Sequence, residues 1–160
     1  MKTFMQFIDG QVKGLNESNS QSVLTDLLAA LNAANFVHHT NHWQCKGKNF
    51  YGNHLLLGRI YESIEDEYDT LGEKLVAYFD EEAVDQVKII NRTKFWVEQW
   101  NKGDVIEKSI KVEEDLQKLY QKVYDYLKSK KDLSLGLDDY LMASANAHET
   151  NLYLLKQASK

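Results

Sequence analysis

The chain has 160 residues, 43% of them hydrophobic and 27% charged, and its formal net charge is −5 at neutral pH. This length predicts one domain over residues 1–160 with a single hydrophobic core. No apolar run approaches the roughly 18 residues that a membrane span needs, and the N-terminus lacks the pattern of a secretory signal. We therefore expect a cytoplasmic protein without membrane attachment.

The N-terminal part predicts an irregular arm followed by a long helix. Residues 1–19 mix polar and apolar positions, and they are expected to form the arm. The first long helix should begin near Ser18, where the side chain of Gln21 would complete a capping box. Apolar residues then recur at helical spacing, and the same stripe continues to His42. Gly47 is the predicted stop signal.

A second long helix is predicted from about Asn53 to about Phe79. On a helical wheel that starts at His54, the apolar residues share one face, which should point to the core. Acidic residues form a stripe beside that face. This acidic stripe consists of Glu62, Glu65, Asp66, Asp69 and Glu73. Such clustering repels phosphate backbones and attracts cations.

The second half of the chain predicts three more helices. A short helix is expected around residues 93–100, inside a looser stretch. Asp104 and Glu107 form a capping pair at the predicted start of a third long helix. A fourth is predicted from about Leu137 to Gln157. Four long amphipathic helices, with a short extra helix between the second and third, predict an all-α four-helix bundle.

His42, His54, Asp69 and Glu73 provide the imidazole and carboxylate mixture that suits iron, manganese or zinc. On one straight helix, however, His54 and Glu73 lie roughly 28 Å apart, which is beyond the reach of one ion. If all four bind one ion, a second subunit must supply its carboxylates through an antiparallel, two-fold contact of second helices. Alternatively, the carboxylates form a solvated helix face and the histidines are hydrogen-bonded core residues.

A motif with fixed spacing runs through this region. It comprises His42-Trp43, Lys46-Gly47 followed by Asn49-Phe50, then His54, and finally Asp69 and Glu73. This motif resembles the Dps family (DNA-binding proteins from starved cells), the mini-ferritins of the ferritin-like superfamily, most strongly over residues 35–76. The resemblance implies a ferritin-like bundle in a hollow shell of twelve subunits, built from two-fold dimers. It also implies an oxidoreductase that oxidises Fe(II), stores iron and protects against peroxide.

The resemblance implies that His42 and His54 of one subunit face Asp69 and Glu73 of its neighbour. These four residues would be both the iron ligands and the catalytic residues, with zinc or manganese as other metals for the site. One departure is Gly58, where family members usually carry an acidic ligand. Weaker candidates to replace that ligand are Glu62, Glu65 and Asp66. The alternative function is therefore a shell protein with an impaired or lost ferroxidase site.

Three further expectations concern regions outside this motif. The first twenty residues hold only Lys2 and Lys13 as cations, so DNA binding should be weak or absent. By family resemblance, Asp139 is a candidate for lining an iron-entry pore. His148 lies on an apolar stripe and is interpreted as a hydrogen-bonded core residue, while His38 and His39 are interpreted as packing or solvent-facing residues.

Overall fold

The computed structural model describes residues 20–160, which form five α-helices and one short 3₁₀ helix. The elements are α1 (Ser20–Gln44), α2 (Phe50–Phe79), the 3₁₀ helix (Glu81–Val84), α3 (Gln86–Gln99), α4 (Val105–Lys130) and α5 (Leu135–Ala158). The predicted bundle of four long helices, with a short helix between the second and third, is confirmed. The predicted N-terminal arm and the cap at Ser18 lie outside the described residues. None of the helices in residues 20–160 is long and apolar enough to cross a membrane.

Helix α1 is the centre of the bundle because it packs against α2, α3 and α4, while α4 also packs against α5. Its leucines Leu24, Leu27, Leu28 and Leu31 are fully buried. Alanines fill positions between them, including the buried Ala30 and Ala33. Small side chains permit close approach of neighbouring helices on more than one side, so α1 has partners around most of its circumference.

Helix α2 begins at Phe50, three residues before the predicted start at Asn53. The reason is the turn before it, where Gly47 adopts φ +84° and its carbonyl accepts a hydrogen bond from Phe50 N at 3.1 Å. Asn53 N already donates to Asn49 O at 3.0 Å and is therefore inside the first turn rather than a cap. This tight turn places the end of α1 directly beside the start of α2.

The short helix between the second and third long helices extends further than the sequence pattern predicted. Helix α3 starts at Gln86 because the Asp85 side chain accepts a hydrogen bond from Lys88 N at 2.7 Å. The predicted capping box of α4 is confirmed: Asp104 Oδ1 accepts from Glu107 N at 2.9 Å, and Glu107 Oε2 accepts from Asp104 N at 3.1 Å. Both starts follow from an aspartate at the N-cap.

Candidate functional site

His42 and His54 form a stacked pair where α1 ends and α2 begins. Their ring centroids lie 3.6 Å apart, and the ring planes differ by 22°. His42 Nδ1 lies 2.7 Å from the backbone oxygen of His54, and His54 Nδ1 lies 3.1 Å from the backbone oxygen of His42. A nitrogen must carry a proton to donate to a carbonyl, so each neutral ring keeps a lone pair on Nε2. Metal-ligating histidines in proteins commonly have their other ring nitrogen hydrogen-bonded in this way.

Gly58 lies against the histidine pair on α2 and is buried. A Cβ added at this position would be 3.5 Å from both Cε1 and Nδ1 of His42, which is an ordinary van der Waals distance. Any side chain at position 58 would therefore border the His42 ring. The glycine itself provides no side-chain donor at this position.

Asp69 and Glu73 lie on the same helix as His54 but far from it. Because α2 is one continuous helix, Asp69 stands about 22 Å and Glu73 about 28 Å along its axis from His54. Both carboxylates line an open groove of about 800 Å³, together with apolar residues that include Leu28, Val76 and Ile90. Within residues 20–160, no three His, Cys, Asp or Glu side chains are arranged to hold a metal ion. One chain thus contains a histidine pair and a separate carboxylate pair.

The other predicted residues lie elsewhere on the surface. Glu62 and Asp66 line a second groove, of about 480 Å³, between α2 and α5. Glu65 is exposed on α2, and Asp139 is exposed near the start of α5. The structure therefore separates Glu62 and Asp66 from the groove that contains Asp69 and Glu73.

A buried ionic network connects all four long helices in the bundle interior. Glu113 on α4 lies between two histidines, with Oε1 2.9 Å from His38 Nε2 on α1 and Oε2 2.6 Å from His148 Nδ1 on α5. His148 Nε2 lies 3.2 Å from Oε2 of Glu67 on α2. The Tyr120 hydroxyl donates a hydrogen bond to Glu67 Oε1. His38, Glu113 and His148 are wholly buried, so water does not screen these charges.

The charges within this network compensate one another. Burial by itself raises the pKa of Glu113, but the charge and hydrogen bond of His148, with those of His38, lower it to about 2. Burial by itself lowers the pKa of His148, but Glu113 and Glu67 raise it to about 10. The raised pKa of His148 favours its imidazolium form beside Glu113, and the network ties the helices together.

These shifts predict a pH-dependent contribution to stability. His148 should stabilise the fold fully below its ordinary pKa of 6.5 and lose that effect as the pH rises towards about 10. Glu113 should stabilise it above its ordinary pKa of 4.5 and lose that effect as the pH falls towards about 2. Urea denaturation of the wild type and His148→Gln should give the largest difference in unfolding free energy between these ordinary pKa values. A difference that stays constant from pH 5 to pH 10 would contradict the prediction.

Sequence reasoning missed Glu67 and Glu113, although a signal was present. Glu67 falls between the buried Ile64 and Leu71 at helical spacing, and Glu113 stands one turn before the buried Leu116. A carboxylate on an apolar stripe needs a buried partner. The interpretation of His148 as a hydrogen-bonded core residue is confirmed by its contacts with both glutamates.

Comparisons with known proteins agree on one fold. The family model for the ferritin-like domain matches residues 21–151. The structure of Dps from Listeria innocua soaked with cobalt is similar at a TM-score of 0.75 and 17% identity, covering 89% of this chain and 92% of that one. Dps from Listeria monocytogenes is similar at a TM-score of 0.75 and 18% identity, covering 89% of this chain and 94% of that one. Mycobacterium smegmatis Dps is similar at a TM-score of 0.74 and 18% identity, covering 88% of this chain and 86% of that one. No curated protein matches the chain.

Proposed function

This chain belongs to the ferritin-like domain family and has the fold of Dps proteins, and from this premise we propose that it binds Fe(II) as a substrate, oxidises it and stores the product. The observation that carries the proposal is the reciprocal hydrogen bonding of His42 and His54. Both Nδ1 atoms bond to backbone oxygens, so both Nε2 lone pairs remain for a metal ion. Metal-ligating histidines commonly hold their other ring nitrogen in a hydrogen bond of this kind, which supports the proposal.

The proposed iron site is shared between two subunits. Asp69 and Glu73 are too far along α2 to reach the histidines of their own chain, so a second copy would supply them. An antiparallel two-fold contact would make two equivalent sites per dimer. The apolar lining of the carboxylate groove, and the 65% exposed Trp43 beside the histidines, are surfaces that such a contact would cover. We propose the dimer as the unit of a twelve-subunit shell.

Each group has a distinct role in the proposed reaction. His42 and His54 would bind and orient Fe(II) through Nε2, while Asp69 and Glu73 would neutralise the additional charge of Fe(III). Hydrogen peroxide accepts two electrons, so one peroxide and two protons convert two Fe(II) ions to two Fe(III) ions and two waters. Oxygen is the other candidate oxidant. The net charge of −5 favours cation uptake over DNA binding.

Gly58 supports a second candidate function, a shell protein with an impaired ferroxidase site. Position 58 borders the His42 ring but provides no donor, so the proposed site would have one protein ligand fewer than with a carboxylate at this position. In this case the protein would keep the assembly and bind metal weakly. The two candidates differ in whether the wild type oxidises Fe(II).

Exchange of His54 for alanine tests the proposal. We expect His54→Ala to oxidise Fe(II) at least about 10-fold more slowly than the wild type. Even a residue that only supports a metal ligand has an effect of this size on affinity or activity, and His54 is proposed as a ligand itself. The measurement is the absorbance of Fe(III) after anaerobic loading and peroxide addition. Asn53→Ala, which changes the preceding residue of α2, should keep the wild-type rate. A wild type no faster than His54→Ala would refute the ferroxidase and favour the shell protein.

A further inference from the structure

The proposed two-fold contact brings two acidic helix faces together. The acidic stripe gives each α2 helix five carboxylates, all of them exposed. Arg59 is the only lysine or arginine of this helix before Lys74. The chain has two arginines, and the other one, Arg92, forms an ion pair with Asp26 at 3.0 Å. Arg59 is exposed and forms no ion pair with any of residues 20–160. Its charge is therefore available to offset repulsion between the two stripes.

We propose that Arg59 of each subunit pairs with Asp66 of the partner subunit, and that these two ion pairs set the register of the contact between α2 helices. The inference rests on the proposed function, because the shared iron site defines which parts of the two helices face each other. It adds the residues by which the chain recognises a second copy of itself. The docking partner is the α2 helix of that copy in antiparallel orientation.

The register follows from the sharing of the site. His54 of one subunit would lie opposite the middle of the carboxylate pair of the other, which is position 71. A two-fold axis passes halfway between positions that face each other, and on α2 this point falls just after Glu62. Arg59 and Asp66 lie at equal distances on either side of it, about 5 Å along the helix. The symmetry that shares the iron site thus places each arginine opposite a carboxylate.

Arg59 and Asp66 also lie on the same side of α2. Seven residues are nearly two turns of an α-helix, so the two side chains differ by only about 20° around its axis. Both line the groove between α2 and α5, in agreement with this direction. In an antiparallel two-fold pair the same side of each helix meets, so Arg59 reaches Asp66. In a parallel two-fold pair Arg59 would face its own copy and repel it.

The exposed apolar residues of α2 fit the same arrangement. Tyr51 is 71% and Leu55 48% exposed near the beginning of the helix, and Val76 is 44% exposed near its end. In an antiparallel pair the beginning of one helix lies opposite the end of the other. Apolar side chains would therefore bury one another on both sides of the charged centre. The charged centre is then the part of the contact that distinguishes one register from another.

Charge reversal tests the pairing in metal-free buffer with EDTA, where dimer formation does not depend on bound iron. Arg59→Glu puts a glutamate opposite Asp66, and Asp66→Arg puts an arginine opposite Arg59. In sedimentation velocity we expect each variant alone to dimerise at least about 10-fold more weakly than the wild type, because every dimer contains two like-charge contacts. An equimolar mixture should regain an affinity close to that of the wild type, because its heterodimer contains two opposite-charge pairs.

Glu149→Arg is the matched control, because it makes the same change of net charge as Asp66→Arg at an exposed position on α5. It should dimerise as the wild type does. Asp66→Ala should weaken the dimer by less than about 5-fold, because it removes a partly exposed ion pair without creating repulsion. Circular dichroism of the charge-reversal variants should match that of the wild type, since both positions are exposed.

Unchanged dimerisation of both variants, or weak dimerisation that the mixture does not restore, would overturn the pairing of Arg59 with Asp66. A monomeric wild type would overturn it as well. The rate of Fe(II) oxidation separates these results from the proposed function. If the pairing fails and the wild type still oxidises Fe(II) faster than His54→Ala, the proposed function stands and the contact has another register. If the wild type is monomeric and no faster than His54→Ala, both fail.

Discussion

Subunits that carry both Asp69→Ala and Glu73→Ala should oxidise Fe(II) at least about 100-fold more slowly than wild type. Assembly with subunits that lack the two histidines but keep both carboxylates should restore part of the oxidation rate. Loss of a single supporting group lowers metal affinity by about 10–100-fold, so loss of two charged donors should exceed that range. Both carboxylates are exposed on α2, and their removal should leave the fold intact. The rate of Fe(III) formation measures the loss.

Restoration would follow from the proposed sharing of the site. When Asp69→Ala/Glu73→Ala subunits assemble with His42→Ala/His54→Ala subunits, each mixed dimer has one complete site and one site without any of the four groups. Random pairing makes half of the dimers mixed, so about a quarter of the wild-type activity should return. Co-expression with two different affinity tags, followed by tandem purification, would supply the mixed assemblies. The same two variants mixed without assembly should stay inactive.

Glu62→Ala/Asp66→Ala is the matched control for the carboxylates. Glu62 and Asp66 have the same four-residue spacing on α2 but line the groove between α2 and α5. We expect this variant to retain most of the oxidation rate. An equal loss of oxidation rate in both double variants would indicate that the whole acidic stripe, rather than Asp69 and Glu73 alone, contributes to the site. Failure of the mixed assemblies to regain activity would contradict a site shared between subunits.

Glu113→Ala should destabilise the fold by about 3–5 kcal/mol, because it leaves the buried His148 charge without its closest partner. For a chain of this size the change corresponds to a loss of roughly 6–20 °C in Tm. Glu113 contacts histidines on both α1 and α5, so the variant also removes the central connection among four helices. Urea denaturation followed by circular dichroism measures the difference.

Glu114→Ala provides a neighbouring control on the same helix. Glu114 forms a partly exposed ion pair with Lys156, at 2.8 Å, and such surface pairs contribute about 0–1 kcal/mol. Its replacement should therefore change stability by less than about 1 kcal/mol. Similar losses in both variants would show that helix propensity, rather than the buried network, accounts for the effect of Glu113.

The sequence predicted helices correctly where the signal comes from residues a few positions apart. The α4 capping box follows from two residues three positions apart, and the long apolar stripe of α1 follows from helical spacing. The start of α2 was misplaced because two asparagines near Gly47 both satisfy the cap preference, and only the turn at Gly47 selects between them. The start of α3 was missed because Asp85 follows other acidic residues that offer similar caps.

The sequence alone determined that one straight helix separates His54 from Glu73, because the rise of an α-helix converts residue spacing directly into distance. It also determined that a histidine pair and a carboxylate pair are present. Only the tertiary structure decided which side chains meet. The contacts of His148 with Glu113 and Glu67 join residues 35 and 81 positions apart. The hydrogen bond from Asn35 Nδ2 to the backbone oxygen of Tyr61 joins residues 26 positions apart. No local rule specifies which faces of two helices pack together, so the buried network could be found only in the folded chain.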